Sequence, residues 1–164
     1  MPWTPAHGGL DGVLTCNWVV AFAFTSALGE HDFRRYGYAQ GDPKGQQTWE
    51  SLALLVALRL WAAEWQQRKF QINVKSDSMV ALVMATKLKA AGVHTNRIAR
   101  ELAMDLGRGL YVPAIKEHTP GVANVLPDAL SRLAAPCPPE FQIELKDIPL
   151  TQAPVRDRSY YYFV

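Results

Sequence analysis

The chain of 164 residues, of which 49% are hydrophobic and 20% charged, has the length and composition of one globular domain. Its two cysteines, Cys16 and Cys137, form no metal-type pair, and the longest nearly apolar run, residues 52–63, is too short to span a membrane. The first residues lack the basic start and apolar core of a secretory signal. We therefore exclude disulfide-rich and membrane-spanning classes and expect an intracellular protein, cytoplasmic or nuclear.

Charge is distributed unevenly along the chain. The net charge is only +2, but residues 68–100 hold seven basic residues and one acid, Asp77. Such a local excess is typical of a phosphate-binding surface, although two helices with lysine-rich outer faces give the same pattern. We expect phosphate contacts from five of these residues, which are Lys75, Lys87, Lys89, Arg97 and Arg100.

The first predicted elements are a hairpin and two helices. Runs rich in Val and Phe at residues 12–14 and 19–24 predict two strands, joined by a turn at residues 16–17. A polar loop follows, with one helical turn at residues 30–36. Residues 48–65 contain no Gly or Pro and are apolar nearly all round, which predicts a helix buried on more than one side.

The middle of the chain predicts a strand and a helix. Residues 70–74 alternate apolar and polar side chains, which is the period of a strand. A helix follows at residues 79–91, with Ser76 or Ser78 as its N-cap and Gly92 at its end.

The last predicted elements are a helix, a strand and a short helix. The first helix is capped by Thr95 or Asn96 and runs to Leu106. A strand follows at residues 110–115, with an irregular or edge position because it contains a proline. Residues 127–134 predict the short helix, with Pro in its first turn.

The order of these elements indicates an α/β domain. A hairpin followed by alternating strands and helices implies a mixed sheet with helices packed on it. We assign residues 1–135 to this domain and residues 136–164, which hold five of the eleven prolines, to a Pro-rich C-terminal tail or linker. The aromatic residues 160–163 are able to stack on bases, but an exposed apolar end explains them more simply.

Three acids lie at the edges of predicted elements. Glu50 is in the first turn of the buried helix, Asp77 follows a strand, and Asp128 opens the last helix. Strand ends and helix starts converge on one crevice in such folds, and clustered carboxylates need a cation to neutralise them. Their oxygens suit Mg²⁺ or Mn²⁺. For any single acid, stabilisation of a helix dipole is the simpler explanation.

Three segments resemble the ribonuclease H domain of gypsy-type retrotransposon polyproteins, in which it accompanies reverse transcriptase. HTPGVANVLPDALSR, residues 118–132, is similar to the family pattern His-x-Pro-Gly-x-x-Asn-x-x-Ala-Asp-Ala-Leu-Ser-Arg and departs from it at Pro127. QQTWESLALLVALRLW, residues 46–61, resembles the helix with the catalytic Glu, and VKSDSMVAL, residues 74–82, the strand end with a catalytic Asp. The resemblance spans residues 4–135 in the right order.

This resemblance implies a ribonuclease H-like mixed sheet with flanking helices and an endonuclease that hydrolyses the RNA strand of RNA–DNA hybrids with two metal ions. It implies Glu50, Asp77 and Asp128 as catalytic ligands of Mg²⁺ or Mn²⁺, and His118 as the catalytic histidine of a mobile loop, with Asn124 beside it. A surface histidine and a helix cap are the alternatives for the last two residues.

The family has one more Asp, on its first and central strand, before a Gly-rich turn that leads into Gly-Val-Leu. Counting back from residues 12–14 places Thr4, which has no carboxylate, at that position. Asp11 is the nearest acid and falls in the predicted turn. The resemblance thus implies a truncated first strand, a site that lacks one ligand, undetectable or very slow cleavage and poor stability of the domain.

Three functions remain open at this point: a ribonuclease H-type endonuclease with impaired activity, a catalytically dead nucleic-acid-binding module, and a decayed gene fragment. Divalent-metal affinity separates the enzyme from the other two, and hybrid binding in EDTA separates the module from the fragment. We expect an RNA–DNA hybrid or another nucleic acid as the partner and no membrane, and the oligomeric state stays open.

Overall fold

The computed structural model describes residues 9–16, 19–62, 71–76, 78–109, 112–118 and 150–163. Their strands and helices are, in chain order, β1 (Gly9–Cys16), β2 (Val19–Ala27), α1 (Glu30–Tyr36), α2 (Gln46–Leu60), β3 (Gln71–Ser76), α3 (Met79–Lys87), α4 (Val93–Gly107), β4 (Val112–His118) and β5 (Leu150–Gln152). Short 3₁₀ helices at Pro43–Gly45 and Arg158–Tyr160 precede α2 and follow β5. The chain therefore mixes helix and strand, as its sequence pattern predicts.

The predicted N-terminal hairpin is confirmed and is longer than expected. β1 and β2 pair antiparallel, from Gly9 opposite Ala27 to Cys16 opposite Val19. Asp11 lies within β1, so its assignment to a turn is wrong. Residues 1–8, and with them the predicted truncation of the first strand at Thr4, lie outside the described residues.

The described strands form two sheets, where the sequence predicts a single mixed sheet. β2 pairs with β1 on one side and, in parallel, with β5 on the other. β3 and β4 form a separate parallel pair, connected through α3 and α4. Two adjacent parallel strands run in the same direction. The chain therefore needs a long crossover connection to return from the end of the first strand to the start of the second.

α2 lies at the centre of the hydrophobic core. It contacts β1, α3 and α4, and its side chains are buried in several directions, as the all-round apolar pattern predicts. Leu52, Leu55 and Val56 have no exposed surface. Replacing one such leucine with alanine typically costs 2–5 kcal/mol, so α2 is a main source of stability for the elements that surround it.

The boundary between α3 and α4 differs from the prediction. Ser78 caps α3 as expected, but α3 ends at Lys87, and Leu88 closes it in the left-handed conformation with φ 53°. Gly92 does not end α3 but is the N-cap of α4, so neither Thr95 nor Asn96 has that role. A Cβ at Gly92 would lie 2.8 Å from Oγ1 of Thr95, which explains the glycine there.

The C-terminal segment, which we define as residues 150–163, packs on the domain. Its strand β5 extends the first sheet, and Ala153, Arg156 and Tyr161 are buried. The aromatic end is therefore not a loose exposed end. Residues 136–149, the remainder of the predicted tail or linker, and the predicted helix at residues 127–134 lie outside the described residues.

Candidate functional site

Glu50 lies on the N-terminal half of α2. Because the helix begins at Gln46, two residues earlier than predicted, Glu50 occupies its fifth position and is half-buried. Its neighbours Trp49 and Ser51 are buried, and Oγ of Ser51 donates a hydrogen bond to the carbonyl of Gln47 at 2.9 Å. Glu50 therefore lies on a helix whose neighbouring side chains are packed into the core.

The register of β3 and β4 concerns two other predicted residues. Ser76, the last residue of β3, lies opposite His118, the last residue of β4. Because the strands are parallel, both end at the same edge of the sheet. Asp77 follows Ser76 in the chain but itself lies outside the described residues, as do Asp128 and Asn124.

The predicted metal site is only partly covered by the structure. Within the described part of the chain, no three His, Cys, Asp or Glu residues are grouped in a way that could hold a metal ion. Of the three predicted ligands, this part includes Glu50 alone. The convergence of Glu50, Asp77 and Asp128, and their binding of Mg²⁺ or Mn²⁺, therefore stay predictions.

Four of the five predicted phosphate-binding residues lie on the surface of the helical region. Lys87 ends α3, Lys89 lies in the connection to α4, and Arg97 and Arg100 lie on α4; all four are exposed. Lys75 belongs to β3. The fold therefore leaves these four cations accessible to a ligand.

A half-open groove separates the start of α2 from α3 and the start of α4. Its volume is about 370 Å³, and exposed apolar residues on its walls include Met79, Val83 and Val93. Lys44 and His94 supply polar groups to the same groove. Burial and the charge of Arg97 lower the pKa of His94, so its ring is mostly neutral near pH 7.

The groove adjoins the elements that carry predicted catalytic residues. Gln47, on its wall, is three positions before Glu50 on α2, and Met79 is the first residue of α3. A cleft with apolar walls and a few polar groups is a typical binding site for an organic ligand. Sequence reasoning missed this groove, because its walls come from three separate elements.

The acids of α4 form an ionic cluster that the sequence analysis also missed. Glu101 and Asp105 have no exposed surface. Nε of Arg59, on α2, donates to Oδ2 of Asp105 at 2.8 Å, and its Nη2 donates to Oε2 of Glu101 at 2.9 Å. Burial alone would lower the pKa of Arg59, but the hydrogen bonds to Asp105 and Glu101 raise it above its ordinary value.

Glu101 also holds the C-terminal segment. Its two carboxylate oxygens accept hydrogen bonds from the backbone N–H groups of Tyr162 and Phe163, both at 2.9 Å. The sequence contains a signal for this role, since Glu101 and Asp105 fall on the same helix face as Leu102, an apolar position. Acids on an apolar face need a buried partner, but the sequence does not say which one.

A second buried ion pair attaches the C-terminal segment to α1. The guanidinium of Arg156 donates from Nε to Oδ1 of Asp32 and from Nη2 to Oδ2, both at 2.8 Å. It also donates to Oγ of Ser26 at 3.0 Å and to the carbonyl of Ala27 at 3.0 Å. These hydrogen bonds fasten the C-terminal segment to α1 and to the end of β2.

Comparison with known proteins adds no family to this description. No protein-family model matches the chain, and neither does any curated protein or solved structure. Among the described residues, no helix has both the length and the apolar character to cross a bilayer.

Proposed function

We propose that the chain is a retrotransposon-derived ribonuclease H-like domain that binds RNA–DNA hybrids and has impaired cleavage activity. The observation that carries the proposal is the register of the parallel pair, in which Ser76, just before Asp77, lies opposite His118. The position directly before Asp77 and the position of His118 therefore lie at one sheet edge, which supports the assignment of both residues to one site.

Glu50 supports the same assignment from a different element. The helix that resembles the family's Glu-bearing helix packs on β1 and α3, and α3 begins directly after Ser78. Carboxylate oxygens fit hard divalent cations, so Glu50, Asp77 and Asp128 would hold Mg²⁺ or Mn²⁺. When bound, such ions generate hydroxide from water and stabilise the leaving 3′ oxygen.

Phosphate binding would come from the exposed cations of the helical region. Lys87, Lys89, Arg97 and Arg100 are accessible, and contacts of this kind neutralise the backbone without reading the base sequence. The 2′-hydroxyl and the shape of the duplex would distinguish an RNA strand from a DNA strand.

The test is cleavage of a hybrid with a labelled RNA strand, in Mg²⁺ or Mn²⁺, by the full chain. We expect very slow cleavage that Glu50→Gln abolishes and that Thr4→Asp, in a chain extended at its N-terminus to lengthen the first strand, accelerates by about 100-fold, since an additional ligand supplies transition-state stabilisation through the metal. Arg34→Gln, on the exposed surface of α1, is the matched control and should leave the rate unchanged.

Cleavage that survives Glu50→Gln or proceeds in EDTA would overturn the proposed site. Fast cleavage that Asp128→Asn abolishes would instead show that the site is intact without an acid at position 4, and Asp11 would be the first candidate for the missing ligand. Calorimetric titration with Mn²⁺ provides an independent measurement, because Glu50→Gln should weaken binding whether or not cleavage is detectable.

The exposure of the helical cations also favours a second candidate, a nucleic-acid-binding module without catalysis. In that case the chain binds the hybrid in EDTA with an affinity that falls as salt rises, by about 0.9 in the log–log slope for each phosphate contact on a duplex. A decayed fragment would show neither metal affinity nor hybrid binding.

A further inference from the structure

α4 separates its charges between two faces. Its charged residues are Arg97, Arg100, Glu101 and Asp105, and their charges sum to zero. In the fold, both acids have no exposed surface, whereas both arginines are exposed. Arg108, directly after the helix, is exposed as well. The outer face of α4 is therefore positive, because its acids point into the core.

The C-terminal segment adds two aromatic side chains to this positive face. The guanidinium carbon of Arg100 lies 4.2 Å from the ring centroid of Phe163, and that of Arg108 lies 5.3 Å from the ring centroid of Tyr162. The residue Tyr162 is 39% exposed, and the guanidinium carbon of Arg59 also lies 5.0 Å from its ring centroid. The backbone of both aromatic residues is held by Glu101, so the acid that leaves the surface also positions the rings.

A guanidinium stacked on a ring is restricted in orientation before any ligand arrives. Its N–H edge stays available, and it therefore loses less side-chain entropy when it binds a phosphate. Proteins that bind single strands combine such cations with aromatic rings on which bases stack. A base in a duplex is not accessible to a ring on a convex helix face, so this combination favours a single strand over a hybrid.

We propose that this arginine–aromatic face, formed by Arg97, Arg100, Arg108, Tyr162 and Phe163, binds single-stranded nucleic acid. The arginines contact consecutive phosphates, and the exposed ring of Tyr162 stacks on a base. The inference goes beyond the proposed function, because it needs neither a metal ion nor an RNA–DNA hybrid. It makes the C-terminal segment part of a binding surface as well as part of the fold.

The experiment measures fluorescence anisotropy of labelled oligo(dT), about 15 nucleotides long to cover one such site, with the full chain in EDTA. Tyr162→Leu should weaken binding about tenfold, because base stacking on an aromatic ring is lost. Tyr162→Phe keeps the ring and should keep the affinity. Arg108→Gln should lower the log–log salt slope by about 0.7, as expected for one phosphate contact on a single strand.

Two controls separate this site from the fold and from the proposed hybrid site. The urea midpoint of Tyr162→Leu should fall only slightly, because the ring loses its contacts with the guanidinium groups of Arg59 and Arg108 but the backbone hydrogen bond to Glu101 is kept. Hybrid binding should change little in Tyr162→Leu and Arg108→Gln, since neither residue belongs to the predicted hybrid contacts. Absence of hybrid cleavage has no bearing on a result obtained with DNA in EDTA.

Two results would overturn the inference. Equal affinity of Tyr162→Leu and the unchanged chain for oligo(dT) would show that no base stacks on the ring. Equal competition by poly-glutamate and oligo(dT), at matched charge and ionic strength, would show that the face attracts any polyanion, and an acidic protein would then be the better candidate.

Discussion

The inner and outer faces of α4 use charge in opposite ways. On the inner face, Glu101 and Asp105 are fully buried, and Arg59 neutralises both through direct hydrogen bonds. On the outer face, Arg97 and Arg100 are exposed. A charge that leaves water needs a partner with good geometry, whereas an exposed charge is screened by solvent. The sign of a surface therefore cannot be read by counting charges along a helix.

The largest expected effect concerns the other buried pair, between Arg156 and Asp32. Arg156→Leu should lower the free energy of unfolding by about 4 kcal/mol, because it leaves the carboxylate of Asp32 buried without a cation. Urea unfolding followed by circular dichroism measures the loss. Adding Asp32→Asn to the same chain should recover part of it, since the uncompensated charge is removed. A loss below about 1 kcal/mol would mean that the C-terminal segment is not anchored there.

A somewhat smaller effect is expected on the inner face of α4. Glu101→Gln should cost about 3 kcal/mol, because Arg59 loses one of its two charged partners and two backbone N–H groups share a weaker acceptor. Urea unfolding provides the value. Combining it with Arg59→Met gives the coupling energy between the two side chains, and a coupling near zero would contradict a shared buried cluster.

The next prediction uses pH to probe the same buried side. Burial raises the pKa of Tyr160 to about 12 from the usual 10. Between these two pKa values the folded state keeps the proton of Tyr160, whereas the unfolded state releases it. The stability that protonated Tyr160 contributes is therefore fully present below pH 10 and is lost as pH rises from 10 to 12. Burial also raises the pKa values of Tyr36 and Tyr161, which strengthens the trend.

Tyr160→Phe isolates one part of this alkaline loss. The hydroxyl of Tyr160 is buried and has no hydrogen-bond partner among the described residues, so its removal should not destabilise the protein at pH 8. Between pH 8 and pH 11, the variant should lose less stability than the unchanged chain, by a difference on the order of 1 kcal/mol. Identical pH profiles for the two proteins would show that Tyr160 is solvated in the folded state.

The smallest effect is expected on the outer face. Arg100→Gln removes an exposed cation whose guanidinium lies over the ring of Phe163, and the free energy of unfolding should fall by about 0.5 kcal/mol. The same substitution should reduce the salt dependence of oligo(dT) binding. If it destabilises the fold as much as Glu101→Gln does, the two faces do not differ in the way that their burial indicates.

Local pattern was sufficient for most of the elements. Alternation of apolar and polar residues identified β3, and the absence of Gly and Pro from an apolar run identified α2, because both features depend on near neighbours in the chain. The boundary at Gly92 was misassigned for a related reason. A glycine is found both at the ends and at the starts of helices. Gly92 starts α4 because Leu88 already ends α3, in a left-handed conformation that usually favours glycine.

The candidate catalytic residues were chosen by motif, and the tertiary structure adds only the register of β3 with β4 and the half-buried position of Glu50 on α2. The groove and the arginine–aromatic face had no comparable signal. Each is assembled from elements far apart in the chain, and Tyr162 reaches Glu101 across a sequence separation of 61 positions. The local sequence around Glu101 does not specify a contact with Tyr162, and the local sequence around Tyr162 does not specify one with Glu101.

The sequence by itself determined where most helices and strands form and which side of each is apolar, and it suggested the resemblance to ribonuclease H. Only the tertiary structure decided that residues 150–163 complete the core, that Glu101 and Asp105 turn inward to Arg59, and that the outer face of α4 is positive. The physical reason is the distance along the chain over which the interactions act. Secondary structure follows from interactions within a few residues, whereas a buried charge is stable only beside the partner that folding brings to it.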